Sequence, residues 1–372
     1  MQSLNTADVF WQAEERNRNG CKRLDKRLFS LVEKLIMERK LAVEEYEYLI
    51  ENRNSEVAKF LASEAVRVRK EIYGDTVFIR GLIEISNICK NDCFYCGIRK
   101  SNEKCERYRL TRDEILECCE EGYDLGFRTF VLQGGEDAFF TDEWLEELIH
   151  SIKEEHADCA VTLSLGERNR ESYQRLYEAG ADRYLLRHET ADREHYAMLH
   201  PKEQSLDERM SCLQNLKDIG YQVGCGFMVG SPYQTSIHLA KDLKFIEEFD
   251  PDMCGVGPFI PHKDTPFAKE TAGSVELTCY LLSTIRLIKP NILLPATTAL
   301  GSLEEDGREK GILAGANVVM PNLSPALVRK KYMLYNNKGS DGAESAQSKE
   351  LLEVKMASIG YRVVTARGDI KE

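Results

Sequence analysis

Between residues 76 and 320 the sequence alternates eight times between a short β-branched apolar run and an amphipathic stretch, and this alternation restricts the fold more than any other feature. The strand candidates are 76–86 (TVFIRGLIEIS), 129–134, 160–166, 183–188, 222–229, 253–260, 292–298 and 316–320. Between the first two, 111–125 opens on the capping box Thr111-Arg-Asp-Glu114. Several helices close on a glycine before the next strand, at Gly126, Gly180, Gly220 and Gly315. Strand and helix in alternation mean parallel strands joined by crossover helices. Eight such units over about 245 residues fit one closed (β/α)8, TIM-type barrel better than an open sheet.

Residues 1–75 are expected to be an N-terminal helical extension, with Leu28, Leu31, Val32, Leu35 and Ile36 at helix spacing and a cap at Asn54-Ser55 before a second stripe from Val57 to Ile72. The barrel is expected over 76–322. Residues 323–372 then read as a short helical cap over the mouth (325–335), a polar mobile linker (336–347) and a last helix from 349 to 359 ending at Gly360.

Charge and hydropathy exclude several classes. The net charge is −12 and no Lys/Arg run exceeds three residues, which argues against a nucleic-acid face. The N-terminus has no apolar core of a secretory signal, and no stretch of about 18 apolar residues is available to span a membrane. Twelve cysteines in such a chain point to a reducing cytoplasm rather than to disulfides.

In a barrel of this kind reactive groups collect at the C-terminal ends of the strands. The first strand runs directly into Cys89-Lys-Asn-Asp-Cys93-Phe-Tyr-Cys96. Three thiolates at C-x3-C-x2-C can hold three irons of a [4Fe-4S] cube and leave the fourth without a protein ligand, open to a substrate or cosubstrate. A zinc site would want a fourth ligand, and buried core cysteines on one helix face are the other alternative. Asn87, Asn91-Asp92 and Gly97 favour a loop. The remaining nine cysteines, single or in one adjacent pair, read mostly as small buried hydrophobes.

The other strand ends carry unusual groups as well. After the second strand, Gly134-Gly135-Glu136 lets backbone approach a ligand closely and offers a carboxylate to an ammonium; a plain tight turn is the alternative. Ser164, Arg187, Glu189 and Arg209 supply polar groups, and an arginine fork matches a carboxylate bidentately, unless these residues form a structural ion-pair network. His188 points the other way along its strand and reads as structural. The glycine-rich fifth strand ends near Met228, where an adenine could lie on bare backbone or the barrel could simply turn a crowded corner. Thr297 and Thr298 offer two hydroxyls, followed by Met320, Asn322, Tyr332 and Tyr335, of which the tyrosines could equally be core.

The cysteine spacing with Tyr95 before the third thiol resembles the signature of radical S-adenosylmethionine (SAM) enzymes. Within them, Glu84-Ile-Ser-Asn-Ile-Cys89, Tyr95-Cys-Gly-Ile-Arg99, VTLSLGE, ADRYLLRHET, GPFIPHKDTP, LPATTALG and AGANVVMPN are similar to the HydE group of [FeFe]-hydrogenase maturases, from about residue 76 to 335. The resemblance implies one [4Fe-4S] cluster on Cys89, Cys93 and Cys96. It also implies SAM held by Tyr95, Gly134, Gly135, Glu136, Ser164, Glu189, Arg209 and Met228, and a substrate among Arg187, Thr297, Thr298, Met320, Asn322, Tyr332 and Tyr335. The substrate would be a small or iron-bound amino-acid-like molecule, the electron donor a ferredoxin or flavodoxin, and other maturases possible partners. Some members carry three further cysteines for an auxiliary cluster; here no cysteine follows Cys279, so one cluster is expected. Methylornithine synthase, a lysine mutase and biotin synthase share the architecture, and a non-catalytic iron-sulfur protein is the alternative of another class.

Overall fold

The computed structural model describes residues 26–339 and 345–371. Its first elements are α1 (Lys26–Glu38), α2 (Val43–Glu51) and α3 (Ser55–Tyr73). Leu28, Leu31, Val32 and Leu35 form the buried stripe of α1, as helical spacing requires. The Asn54 side chain caps α3, accepting from Val57 N at 3.0 Å. The part of the expected extension before residue 26, with Cys21, lies outside the described residues.

The alternating region follows as β1 (Thr76–Ile79), β2 (Gly81–Ser86), α4 (Arg112–Asp124), β3 (Thr129–Gly134), α5 (Asp142–Glu155), β4 (Ala160–Ser164), α6 (Arg170–Glu178), β5 (Arg183–Leu185), α7 (Arg193–Leu199), α8 (Leu206–Ile219), β6 (Gln222–Cys225), β7 (Met228–Val229), α9 (Ser236–Phe249), β8 (Met253–Cys254), β9 (Gly257–Pro258), α10 (Val275–Ile288), α11 (Thr298–Leu303), α12 (Gly307–Leu313) and β10 (Val318–Val319). Strands β2-β3-β4-β5-β6-β8 make one parallel sheet, in register through pairs such as Leu82↔Val131, Val131↔Thr162, Tyr184↔Val223 and Gly224↔Met253. Single parallel bridges complete the ring: Met253 to Leu293, Pro295 to Val318 and Leu82 to Asn322, with β10 paired to β1. The eight expected units therefore lie in one parallel ring.

Several expected strands are shorter than their patterns. The run 292–298 makes only isolated bridges, because Pro295 has no N–H to donate and α11 already begins at Thr298. The fifth and sixth strands break near Gly226 and Gly255, where a Cβ on Gly226 would lie 2.1 Å from Gly255 O. The helical extension packs on the flank of the ring: Tyr46 OH donates to Glu247 of α9 at 2.9 Å, and Tyr280 OH of α10 to Leu49 O at 3.1 Å.

The C-terminal region departs most from expectation. A short α13 (Ala326–Arg329) precedes a strap that is not a free linker on either side of 340–344: Asn336 N donates to Pro261 O at 3.1 Å, Lys338 is buried against the fully buried Glu84, and Ser345 bridges Asn322. Polar composition misled here because these polar groups find partners inside. After α14 (Lys349–Ser358) the chain turns at Gly360 (φ 82) into a further strand, β11 (Arg362–Val364), parallel to β1. Its continuation closes the end of the ring opposite the cysteines. Arg367 O accepts from Thr129 Oγ1 at 2.8 Å and Arg183 Nη2 at 2.9 Å, and Arg183 also pairs with Asp369. No helix among the described residues is long and apolar enough to cross a membrane.

Burial opposes ionisation of Asp369, yet the Arg367 hydrogen bond and the Arg183 charge hold its carboxyl down at about 2. An unfolded aspartate titrates near ~3.9, so this stabilisation is fully present above about pH 4 and is lost as pH falls through about 2. The stability difference between wild type and Asp369→Asn, measured by urea unfolding, is expected to shrink over that window. Gly368 has φ +60, and its Cβ would lie 2.8 Å from Phe78 Cγ. Gly368→Ala is expected to cost about 1–3 kcal/mol, read as a melting temperature lowered by several degrees.

Candidate active site at the barrel mouth

All the sequence-predicted site residues except Asn322 line one cavity of about 370 Å³ at the C-terminal ends of the strands. Asn322 faces away: its amide donates to Glu84 Oε2 at 2.9 Å and its carbonyl accepts from Ser324 N at 2.8 Å. His188 is absent from the lining; it is wholly buried 3.3 Å from the equally buried Asp242, and burial lowers its pKa to about 3.

The cysteine loop leaves β2 and lies against the end of β3. Two glycines permit this approach. A Cβ on Gly135 would sit 2.3 Å from Ile88 O and 2.7 Å from Cys89 Cβ, and one on Gly97 would sit 2.0 Å from Met333 O. Backbone N–H groups of Asn91 and Glu136 both point at Cys89 Sγ, at 3.4 Å. Cys89, Cys93 and Cys96 all line the cavity. A closed zinc site would want a fourth protein ligand. A cubane takes three thiolates on separate irons and leaves its fourth iron open to the cavity. Burial and the neighbouring Cys89 push the Cys93 thiol up to about 12, and burial with Cys93 raises the Cys96 thiol well above the ordinary thiol range. Three thiolates here therefore need a cationic centre among them, and the donor set fits an iron-sulfur cluster.

Beside the thiols, the Glu136 carboxylate accepts from Glu167 N at 3.0 Å and meets the exposed Lys90 ammonium at 3.0 Å. Gly166 makes room for it, since a Cβ there would lie 2.0 Å from Glu136 Cγ. Tyr95 OH lies 3.1 Å from His200 Nε2, while His200 Nδ1 lies 2.9 Å from Tyr196 O. Burial lowers His200 to about 3, so the ring is neutral; Nδ1–H donates to the carbonyl and Nε2 accepts from the tyrosine. That fixes the ring of Tyr95 next to the thiols.

From α8, Arg209 Nε donates to Glu167 Oε1 and Nη1 to Arg187 O, both at 2.5 Å. Arg187 and Glu189 approach to 3.1 Å, yet Arg187 Nε and Nη2 and Glu189 Oε2 make no hydrogen bond. Glu189 has φ +65, a conformation costing a non-glycine residue about 1–3 kcal/mol; its N–H is held by Gly226 O at 2.9 Å. Ser164 and Met228 complete this side. Across the cavity the Thr297 hydroxyl is buried without a partner, over a floor left bare by Gly257, whose Cβ would lie 2.8 Å from Thr297 Oγ1. Thr298, Met320, Tyr332 and Tyr335 adjoin it, and Gln133 Nε2 donates to Tyr332 OH at 3.4 Å.

Sequence reasoning missed Glu84 and Lys338. Glu84 is fully buried on β2, and the Lys338 ammonium reaches it from the strap and lines the cavity. A carboxylate inside an apolar strand was itself a signal that a buried partner must exist; nothing in the sequence pointed to Lys338.

The radical SAM superfamily model matches residues 83–246. The chain is 46% identical to the [FeFe] hydrogenase maturase subunit HydE of Thermotoga maritima, covering 74% of this chain and 78% of that protein. It is 32% identical to 3-methylornithine synthase of Methanosarcina acetivorans, over 77% and 81%. The crystal structure of methylornithine synthase superposes with a TM-score of 0.78 at 29% identity, covering 90% of this chain and 97% of the other. If the cysteine loop depends on bare backbone at its neighbour, Gly135→Ala is expected to lower bound iron severalfold with an unchanged far-ultraviolet spectrum. An unchanged iron content would contradict the close approach.

Proposed function

Because the chain belongs to the radical SAM superfamily, as an enzyme of the group that contains HydE and methylornithine synthase, we propose that it cleaves SAM reductively in assembly of the [FeFe]-hydrogenase diiron subcluster. One [4Fe-4S] cluster would be held by Cys89, Cys93 and Cys96. The observation that carries this reading is the convergence on one cavity of the three thiols, the Gly134-Gly135-Glu136 ledge and the groups of Arg187, Glu189 and Thr297 that make no hydrogen bond. When bound, the cluster supplies one electron to the SAM sulfonium, releasing methionine and a 5′-deoxyadenosyl radical.

The residues of the chain then bind, orient and shield. Glu136 accepts from the methionine ammonium, and Arg209, already tied to Glu167 and Arg187 O, turns its guanidinium toward the carboxylate. Tyr95, Ser164, Glu189 and Met228 surround the nucleoside. Arg187, Thr297 and Thr298 hold the carboxylate of a small or iron-bound, cysteine-derived substrate, and Met320, Tyr332 and Tyr335 wall its apolar side. Asn322 acts at one remove, by fixing Glu84. The strap excludes water and stray hydrogen donors. A ferredoxin or flavodoxin in the cytoplasm would supply electrons, and other maturases would exchange substrate or product. The 97% coverage of methylornithine synthase favours, as second reading, a rearrangement of a free amino acid in the same cavity.

Anaerobic reconstitution tests the core claim. About four irons per chain and 5′-deoxyadenosine formation with dithionite are expected, both lost in Cys96→Ala; a cluster that leaves SAM intact would refute it. Restoration of hydrogenase activity in an extract lacking HydE, rather than formation of 3-methylornithine, separates the two substrates. Thr297→Val is expected to reduce substrate-dependent turnover by about 5- to 100-fold while leaving substrate-free SAM cleavage unchanged, since only the substrate's hydrogen bond is lost.

A further inference from the structure

Four loops surround the cysteines on the outside of the mouth: 88–107, 200–205, 261–270 and 330–338. They are knit together. Phe94 N donates to Leu199 O at 3.0 Å, Cys93 Sγ lies 3.3 Å from Gln204 Oε1, Lys104 meets Asp264 at 2.8 Å, and Asn87 Nδ2 donates to Lys331 O at 2.8 Å. Apart from Lys338, buried against Glu84, and Lys90, paired with Glu136, these segments carry nine Lys/Arg against six Asp/Glu in a chain whose net charge is −12. The rim of the mouth is thus positive on a protein that is otherwise strongly negative.

Lys100, Lys202 and Lys263 are exposed, and the Lys104 side chain remains 79% exposed although paired. Among them lies an aromatic step. Phe94, adjacent in sequence to Cys93, meets Phe267 edge to face at 6.1 Å, and Phe267 meets Tyr233 at 6.2 Å. Tyr233 is 60% exposed and held at φ +66, so a large ring is presented to solvent on a strained backbone. An exposed aromatic flanked by charges of one sign is the composition of a docking site, with the ring as anchor and the charges steering encounter.

We infer that this rim, Lys100, Lys104, Lys202 and Lys263 around Tyr233 and Phe267, docks a small acidic one-electron carrier protein and passes its electron inward beside Phe94. The inference rests on the proposed cluster at Cys89, Cys93 and Cys96. In the step the carrier loses one electron and the cluster gains one, with no proton or bond exchanged. Charge complementarity selects the partner: an acidic carrier is disfavoured by the net charge of −12 of the chain as a whole and favoured where these lysines gather. Redox encounters of this kind are small and short-lived, so steering decides their rate.

The test compares the cluster-loaded wild type with the triple variant Lys100→Glu, Lys104→Glu, Lys263→Glu and with a control triple, Lys26→Glu, Lys40→Glu, Lys70→Glu, which makes the same charge change on the helical extension. Binding of purified oxidised flavodoxin is measured by titration at low and high salt; 5′-deoxyadenosine formation is measured with reduced flavodoxin and, separately, with dithionite. The rim variant is expected to weaken flavodoxin binding and flavodoxin-driven product formation about tenfold or more, with dithionite-driven formation unchanged; wild-type binding should weaken with salt. Wild-type flavodoxin binding in the rim variant, or equal weakening in the control, would overturn the docking site. Failure of dithionite to drive the wild type would instead overturn the cluster reading beneath it.

Discussion

Parallel pairing is the constraint on which the rest depends. Strands that all run one way around a ring must return by crossover helices outside it, and all their C-terminal ends then face one rim. Thiols after the first strand, a carboxylate after the second, arginines after the fourth and hydroxyls after the seventh are far apart in sequence and share one cavity for that reason. The ring tolerates weak links. Single bridges at Leu293 and Pro295 suffice for closure because the strands on either side are already held by their own helices.

The cavity wall is mostly apolar, and its polar groups are few. Its buried groups are mostly committed: Arg209 to Glu167 and Arg187 O, Lys338 to Glu84, Tyr95 to His200. What stays without a hydrogen bond is a short set on Glu136, Arg187, Glu189 and Thr297, of which only the Thr297 hydroxyl has no ion pair either. Desolvated groups without partners are costly, and proteins keep them where a ligand completes them. The committed pairs hold the uncommitted ones in place.

Most of this was legible in the sequence because it rests on local signals. The eight units follow from period and capping, the thiol loop from spacing, and the approach at Gly135 from two adjacent glycines. The rest depends on contacts across hundreds of residues. Lys338 lies in a stretch whose polar composition reads as linker, yet its partner is Glu84, 254 positions away. Strand β11 is three residues long and finds its place only against β1. Asn322 sits at the end of the eighth strand, as a lining residue should, but a neighbouring carboxylate captures its side chain.

The closure of the lower end by residues 362–371 orders events in synthesis. Arg183 is fully buried and its carboxylate partner is Asp369, 186 positions further along the chain. Until residues 362–371 have been synthesised, the ring can assemble from its N-terminal side but its floor is open and a cation inside it is uncompensated. The finished enclosure therefore belongs to a chain that includes this segment, and so does any chemistry that requires a dry interior.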